Sequence, residues 1–501
     1  MPDSEQAQPG GARDHLTRIV QWFDTRLGLS HSLFRPVPQY AINPFYWLGA
    51  LAVTAFVIQG ITGVIMMLYY VPSPTEAYSS TQYIFNAVPY GRFLETVHLY
   101  TAYAMIMLTF MHLMRGYFVS VQKKPRELMW VVGMLMGFVT LGIGFTGYLL
   151  PWTVVSKSAT DVGVGMINAL PPGISSFLSF LIVGAGGDST TVLRFYDLHI
   201  ILLPAVLLVL LAAKMYMLET HGVSDPIAGV SEKRRRLIPV FPDATVYVLE
   251  LAALFGAGML LISLIFPLSL PPQFTPELAA QYTPQPDWYF LWIYQIIKIS
   301  AFETAGLPVA LSAVTVIFIL LIILPFIDRS NKKLFFERPV YISLGAIFVA
   351  ELVTLTYWGL VTPGQIIANE QAALVLGGVA LTVAVGTFLL HDLLYRRARS
   401  KLLTGPPSAA LRSAQAWTCM AFVLLVGLGA MTIGWTLNAS VQIVISGVSF
   451  STIVMLLLSM LGLGLVVLGS IFLLYRLDLG TGSIRKRVRL FEIGWESDEA
   501  L

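Results

Sequence analysis

Two pairs of nitrogen-bearing side chains lie on two separate apolar segments at nearly equal spacing. His98 and His112 are 14 residues apart, and His199 and Lys214 are 15 residues apart. On a helix that rises about 1.5 Å per residue, each pair places two potential metal ligands on one face, roughly 21 to 22 Å apart. This spacing predicts two stacked haems, each held between the two helices.

The composition identifies the class of protein. Of 501 residues, 56% are hydrophobic and 12% are charged, and the mean hydropathy is +0.74. So much apolar surface predicts an integral membrane protein. The single cysteine, Cys419, excludes an intrachain disulfide, a Cys-ligated cluster and covalent haem attachment of the C-x-x-C-H kind. The small net charge of +3 gives no support for nucleic-acid binding.

Ten apolar segments are long enough to cross a bilayer as helices. We place them at 46–70, 93–119, 127–150, 193–217, 246–266, 306–327, 340–361, 371–391, 413–436 and 451–475. Residues 15–34 predict an amphipathic helix on the membrane surface, the alternative being a plain polar leader. Residues 160–184 and 284–300 are too short or too polar to span, and we expect surface helices over one mouth of the bundle. The predicted fold is all-α and polytopic, with an N-terminal four-helix di-haem bundle.

The charges of the loops predict the orientation. Basic residues follow every second span, and the opposite loops contain almost none; these residues are Lys123, Lys124, Arg126, Lys233 to Arg236, Arg329, Lys332, Lys333, Arg338, Arg396, Arg397, Arg399, Lys401, Arg476 and Arg485 to Arg489. This asymmetry predicts a cell-membrane protein with both termini in the cytoplasm. His98 and His199 would then lie near the outer face, and His112 and Lys214 near the inner face.

Ionisable residues inside a membrane segment are costly and are functional candidates by default. Taken singly, each of the four has an ordinary alternative, a hydrogen-bonded interhelical histidine or a snorkelling lysine. Their occurrence at two matched depths favours a shared role as ligands.

Glycines repeat the same interval on the neighbouring spans. Gly49 and Gly63 in the first span are 14 residues apart, as are Gly133 and Gly147 in the third. A flat macrocycle between helices needs neighbouring backbones without Cβ atoms at its depth, although glycine is also common where membrane helices pack closely. The two pairs indicate four helices that enclose two haems.

Several motifs together resemble the cytochrome b of the cytochrome bc1 and b6f superfamily. They are NPFYWLGA and QGITG within 43–63, the paired histidines with HLMRG at 98–116, KPRELMW at 124–130, GYLLPW at 147–152, RFYDLH at 194–199, HGVSDP at 221–226 and PDWYFLWIY at 286–294. The resemblance covers about residues 15–360. The interval from 199 to 214 is the b6-like spacing, and the length is similar to fused prokaryotic chains, including those of archaeal-type quinol oxidase supercomplexes.

The resemblance implies ligands for two b-type haems. His98 and His199 would hold the low-potential haem near the outer face, and His112 with the residue at 214 the high-potential haem near the inner face. Arg115 matches the arginine that meets a haem propionate, its alternative being an interfacial snorkelling arginine.

The resemblance also implies a quinol site. Asp287, in the PDWY segment, matches the carboxylate that accepts a proton from quinol, although a turn residue after a proline is the alternative. Tyr289 belongs to the same motif, and Tyr294 matches an aromatic residue that lines the pocket. One electron would pass to a Rieske iron–sulfur protein and the other through both haems to quinone. Further implied partners are cytochrome c-type or terminal oxidase subunits, membrane lipid and a second copy or a supercomplex.

The sequence departs from the family at four places. Lys214 stands where the family has its fourth histidine, and we favour it as an iron ligand; a five-coordinate or a modified haem is the alternative. Glu95 replaces an arginine near the outer haem, so its propionates are expected to be held differently. Ser156-Lys157-Ser158 replaces an aromatic pair near the quinol pocket. Glu219 replaces a histidine at the inner quinone site, where His221 and Asp225 are close by in sequence.

We expect four parts: a leader at 1–40, a cytochrome b6-like haem bundle at 41–225, a subunit IV-like part with the PDWY motif at 240–362, and extra helices with a basic tail at 365–501. The main expectation is a quinol-oxidising oxidoreductase subunit. The alternatives are a haem-bearing anchor subunit of a terminal oxidase supercomplex and a secondary transporter, for which we find no inverted repeat.

Overall fold

The computed structural model describes residues 36–38, 42, 44–184, 188–222, 237–330 and 338–402. The predicted leader helix, the ninth and tenth spans, Cys419 and Asp225 lie outside the described residues. Within the described part, eight helices are long and apolar enough to cross a membrane. These spans, first to eighth, are Leu48–Met67, Gly91–Phe118, Glu127–Tyr148, Thr190–His221, Val240–Ile265, Leu307–Ile327, Pro339–Val361 and Asn369–Leu389.

The first eight predicted spans are confirmed, with ends that differ by a few residues. In lipid the backbone has no water to bond, so a run of apolar residues satisfies its N–H and C=O groups by forming a helix. The helix of the eighth span continues to Leu402, beyond the predicted end at 391.

The fourth span contains a π-helical turn, Leu198–Leu202, between the α-helical stretches Asp188–Asp197 and Leu203–His221. Pro204 lies two residues after the end of this turn. A proline has no N–H and crowds the preceding turn, so the helix widens before it. His199 lies within this wider turn.

Short elements connect the spans. Their bounds are Ala77–Asn86, Val154–Asn168, Pro172–Leu178 with the π-helical turn Ser179–Val183, Pro276–Gln281, the 3-10 turn Trp288–Phe290 leading into Leu291–Ile297, and Ser300–Ala305. The predicted non-spanning helices within 160–184 and 284–300 are confirmed, whereas the helices at 77–86, 276–281 and 300–305 were not predicted. Strands Pro36–Pro38 and Leu237–Pro239 form one antiparallel pair.

The first span packs on the second, the third on the fourth, and the second on the third. The second and third spans also pack against the sixth and seventh through a buried apolar cluster: Met114, Tyr117, Phe118, Trp130, Met134, Leu324, Ile342 and Val349. The contact is close because Gly345 in the seventh span has no side chain; a Cβ there would lie 2.3 Å from Tyr117 Cε1.

A buried ion cluster joins the same two groups of spans at one end. The Lys123 ammonium donates to Asp328 Oδ1 at 2.8 Å, and the Arg338 guanidinium donates to Asp328 Oδ2 and to the Ser120 hydroxyl. All three charged side chains are at least 96% buried. Burial alone would raise the pKa of Asp328, but hydrogen bonds from Lys123 and Ser330 and the nearby cations hold this pKa below its usual value.

Candidate functional site

His98 on the second span and His199 on the fourth face each other inside the bundle. Their ring centres are 6.1 Å apart and the rings are inclined at 71°. Two metal–nitrogen bonds of about 2 Å, plus about 1 Å from each nitrogen to its ring centre, give a separation of about 6 Å. This pair, which we call the first level, therefore has the spacing that a metal ion between two imidazoles requires.

The Nδ1 nitrogen of each ring already has a hydrogen-bond partner. His199 Nδ1 lies 3.0 Å from the Ile143 carbonyl oxygen. His98 Nδ1 lies 2.8 Å from Thr62 Oγ1, and that hydroxyl donates to the Ile58 carbonyl. Because both acceptors require a proton on Nδ1, each Nε2 keeps its lone pair. Hydrogen bonds of this kind orient metal-binding histidines.

Each of the four predicted glycines lies against one of the four predicted ligands. Cβ atoms built on Gly147 and Gly63 would lie 2.3 Å from His199 Cε1 and 3.4 Å from His98 Cε1. From the 14-residue interval we expected the glycines to lie at the depths of the ligands. The structure also shows which glycine lies against which ligand.

His112 and Lys214 form a second level. A Cβ on Gly49 would lie 3.1 Å from His112 Cε1, and one on Gly133 would lie 3.1 Å from Lys214 Nζ. His112 Nδ1 is buried and has no hydrogen-bond partner in the described part of the chain. Lys214 and Arg115 are the cations that act on His112 electrostatically. The donor nitrogens and the bare glycine backbones fit a haem at both levels.

One cavity of about 250 Å³, open to solvent, connects the first level to the PDWY segment. His98, His199 and Asp287 all line it, as do Tyr148 and Tyr289. The helix Val154–Asn168 contributes Ser156 to the same wall. The structure thus brings together a histidine pair and a carboxylate that lies 88 residues after His199 and 189 residues after His98 in sequence.

Asp287 precedes the 3-10 turn and lies at the wall of the cavity. Its Oδ1 accepts the Trp288 N–H at 2.9 Å and the Tyr103 hydroxyl at 3.1 Å. Burial raises the pKa of Asp287 to about 6, although both hydrogen bonds oppose the shift. A carboxylate with this pKa can exchange a proton near neutral pH.

The other predicted residues take different places. The Tyr289 hydroxyl lies close to Gly144, where a Cβ would be 3.3 Å away. Tyr294 is not among the residues that line the cavity, and its hydroxyl donates to the Pro284 carbonyl at 2.6 Å. The Arg115 guanidinium lies 4.0 Å from the centre of the Tyr46 ring. Sequence reasoning gave no role to Tyr103, because its contact with Asp287 joins residues 184 positions apart.

Family models match both halves of this arrangement. "Cytochrome b/b6/petB" matches residues 34–222, and "Cytochrome b(C-terminal)/b6/petD" matches residues 278–383. The cytochrome b subunit of a cytochrome bc complex from Chlorobaculum thiosulfatiphilum is 32% identical over 372 residues, which cover 71% of this chain and 84% of that protein. The chain belongs to the cytochrome b family.

Further relatives support the fused form of this cytochrome b. Cytochrome b of Sulfolobus acidocaldarius is 30% identical over 380 residues, covering 69% of this chain and 66% of that protein. A chain from the solved structure of a hyperthermophilic respiratory Complex III superposes with a TM-score of 0.59 at 25% identity, covering 74% of this chain and 97% of that one. Membership of the family implies haem b binding, electron transport and an oxidoreductase role in the membrane.

Two departures from the family pattern lie within this cytochrome b's site. Glu95 lines the cavity together with His98, so a residue that carries a carboxyl group forms part of the cavity wall at the first level. Lys157 lies over the Trp152 and Phe274 rings, 5.8 and 5.4 Å from their centres, and its Nζ bonds Asp161 at 2.5 Å. It therefore stabilises the helix that walls the cavity.

Proposed function

We propose that this cytochrome b is the quinol-oxidising subunit of a respiratory complex. The observation that carries the proposal is the single cavity lined by both Asp287 and the His98–His199 pair. A substrate in this cavity would meet a proton acceptor and an electron-accepting centre at once. The apolar lining around these few polar groups is typical of a site for a small, mostly hydrophobic ligand.

Each residue has a distinct role in the proposal. Asp287 accepts a proton from the quinol hydroxyl, which its raised pKa permits near neutral pH. Tyr289, with Gly144 behind its hydroxyl, shapes the wall of the cavity. Tyr294 supports the PDWY segment through its bond to Pro284 rather than contacting substrate directly.

Four side chains would hold two haems, His98 with His199 and His112 with Lys214. When bound, the haems would supply one-electron transfer along the bundle from the cavity toward the second level. Lys214 can act as a ligand only as a neutral amine, which burial in an apolar span favours. Arg115 would balance a propionate near the second level.

The remaining assignments depend on the family and on the loop charges. A Rieske iron–sulfur protein would take the other electron, and further subunits would be cytochrome c-type or terminal oxidase components, in a homodimer or a supercomplex. The loop charges support an orientation with both termini in the cytoplasm; the cavity would then open on the outer side, and its protons would be released there. The four-part division at 1–40, 41–225, 240–362 and 365–501 is part of this proposal.

The substitution D287N tests the proposal because it removes the proton acceptor and keeps the size of the side chain. We expect oxidation of decylubiquinol by membranes that contain the complex to fall at least a hundredfold, with unchanged haem content. The matched control is E277Q, which alters an exposed carboxylate on the nearby helix Pro276–Gln281. It should retain the full rate.

The second candidate is a haem-bearing anchor subunit that does not oxidise quinol. Lys214, a lysine where the sequence resemblance implies a histidine, favours this candidate. A changed ligand at the second level would interrupt electron transfer across the membrane. Full quinol oxidation by D287N would support this candidate and refute our proposal.

A further inference from the structure

Within the described residues, Tyr103 on the second span forms the only side-chain hydrogen bond to Asp287, which lies in the connection between the fifth and sixth spans. Its hydroxyl donates to Asp287 Oδ1 at 3.1 Å. The Tyr103 ring meets the Trp288 and Tyr289 rings edge-on, with centres 6.2 and 6.4 Å apart. These contacts fix the phenol, so the direction of the hydrogen bond to the PDWY segment is also fixed.

The two oxygens of the Asp287 carboxylate have different surroundings. Oδ1 accepts both the Tyr103 hydroxyl and the Trp288 N–H, at 3.1 and 2.9 Å. Oδ2 accepts no hydrogen bond among the residues that the structure describes. Since Asp287 lines the cavity, one oxygen is held by the protein and the other is left for a ligand.

We propose that Tyr103 is a positioning residue for quinol oxidation, which holds Asp287 Oδ1 so that Oδ2 receives the substrate proton. The inference depends on the function proposed above. The step is a proton transfer in which the quinol O–H bond breaks and an O–H bond to Oδ2 forms. Neither residue gains or loses an electron; the electrons leave quinol for the two one-electron acceptors already named.

A phenol donor suits this role because its hydrogen bond to an ionised carboxylate is stronger than its bond to the protonated acid. Tyr103 therefore favours the form of Asp287 that can accept a proton. Among the described residues, the groups that act electrostatically on Asp287 are the phenols of Tyr103, Tyr148, Tyr282 and Tyr289. The Glu95 carboxyl and the His98 and His199 imidazoles line the same cavity. Phenols keep their protons near pH 6. Because D287N leaves Glu95 and both histidines unchanged, comparison with its rate profile shows which part of the profile near pH 6 belongs to Asp287.

The first test is Y103F, which removes the hydroxyl and keeps the ring. We expect the acidic limb of the rate profile for decylubiquinol oxidation to move to higher pH by about one unit, with a several-fold lower maximal rate. The control is Y100F, one turn earlier on the same span. The Tyr100 hydroxyl donates to the Phe266 carbonyl at 2.9 Å, and Tyr100 does not line the cavity, so its profile should match the wild type.

The opposite change gives a second test. 3,5-Difluorotyrosine in place of Tyr103 is a stronger donor with almost the same shape, and it should move the acidic limb to lower pH. It keeps every atom of the native contact, so it serves even where Y103F fails to fold. Equal profiles for the wild type and the fluorinated protein would overturn the inference.

A double substitution separates the two proposals. If Tyr103 acts through Asp287, adding Y103F to D287N should lower the residual rate no further. A full rate in D287N refutes the proposed function. Loss of activity in D287N, together with a wild-type profile in Y103F, refutes only the role of Tyr103.

Discussion

Replacing Gly147 by alanine tests whether the bare backbones at the first level exist to admit a haem. The added Cβ would lie 2.3 Å from His199 Cε1, 2.8 Å from Nδ1 and 2.9 Å from Nε2. Since optimal carbon contacts are about 3.5 to 4.0 Å, the overlap exceeds about 1 Å. His199 cannot retreat without straining its bond to the Ile143 carbonyl.

The magnitude follows from two penalties. Overfilling a packed site typically costs about 1 to 3 kcal/mol, and loss of the histidine hydrogen bond costs about 1 kcal/mol more. A combined penalty of about 2 to 4 kcal/mol weakens haem binding at this level roughly 30- to 1000-fold. Haem binding at the second level, which lies farther along the third span, should be unaffected.

Alanine substitutions at the other three glycines should give a graded loss of haem. G49A and G133A bring a Cβ to 3.1 Å from His112 and Lys214, and the flexible end of Lys214 can move aside. G63A leaves an ordinary 3.4 Å contact with His98. We therefore expect haem loss to decrease in the order G147A, G49A, G133A and G63A.

Haem content per protein, measured as the pyridine haemochrome, and a redox titration that resolves two centres would check the series. The control is G60A, where the built Cβ meets nothing within 4 Å on the same span as Gly49 and Gly63. Full haem content in G147A, or equal losses in G147A and G60A, would show that the glycine does not serve to admit a haem.

Three further predictions concern the carboxylates and the lysine. Because the Asp287 carboxyl must be ionised to accept a proton and its pKa is raised to about 6, quinol oxidation should rise with pH through about 6, and an acidic limb centred near pH 4 would contradict the assigned acceptor. K214L, whose side chain has no donor atom, should remove the low-spin signal of the second centre by electron paramagnetic resonance, while K214H should keep it; an unchanged low-spin signal in K214L would exclude lysine ligation. D328N leaves Lys123 and Arg338 without their shared anion and should lower the stability by about 3 to 5 kcal/mol, measured by thermal unfolding in detergent. Because the folded-state pKa of Asp328 is lowered, its stabilisation is complete above the usual value of about 3.9 and is lost as pH falls through the lower folded value; equal acid sensitivity of D328N and the wild type would refute this assignment.

The spans were predictable because their residues have little choice of structure in lipid. In lipid, a single segment can make all its backbone hydrogen bonds only as a helix. Hydropathy therefore predicted the first eight spans within a few residues. The short helix Ala77–Asn86 was missed because it is less apolar and carries no spanning signal. The helical turn around His199 was in principle foreseeable from Pro204, since a proline disturbs the turn that precedes it.

The candidate site was only partly predictable. Spacing along one helix gave the ligand depths, because depth depends on helical rise alone. The distance and angle between the His98 and His199 rings could not be predicted from spacing, because they depend on how the second span packs against the rest of the bundle. The bond from Tyr103 to Asp287 could not be predicted, since it depends on how a short turn folds back against a span. The Tyr294 side chain shows the same limit, because its motif position did not fix its direction.

The second level combines two features that are unfavourable in an empty membrane bundle. Glycine in a helix is destabilising by roughly 0.5 to 1 kcal/mol relative to alanine, and an amine within the apolar span is costly without a partner. Gly133 and Lys214 nevertheless meet at one depth, opposite Gly49 and His112. A flat ligand that needs both the space and the nitrogen lone pair accounts for all four residues. A lysine in place of a histidine would change the chemistry of the donor and would retain the space for the macrocycle, and for this reason we expect K214L to alter the low-spin signal and G133A to alter haem retention.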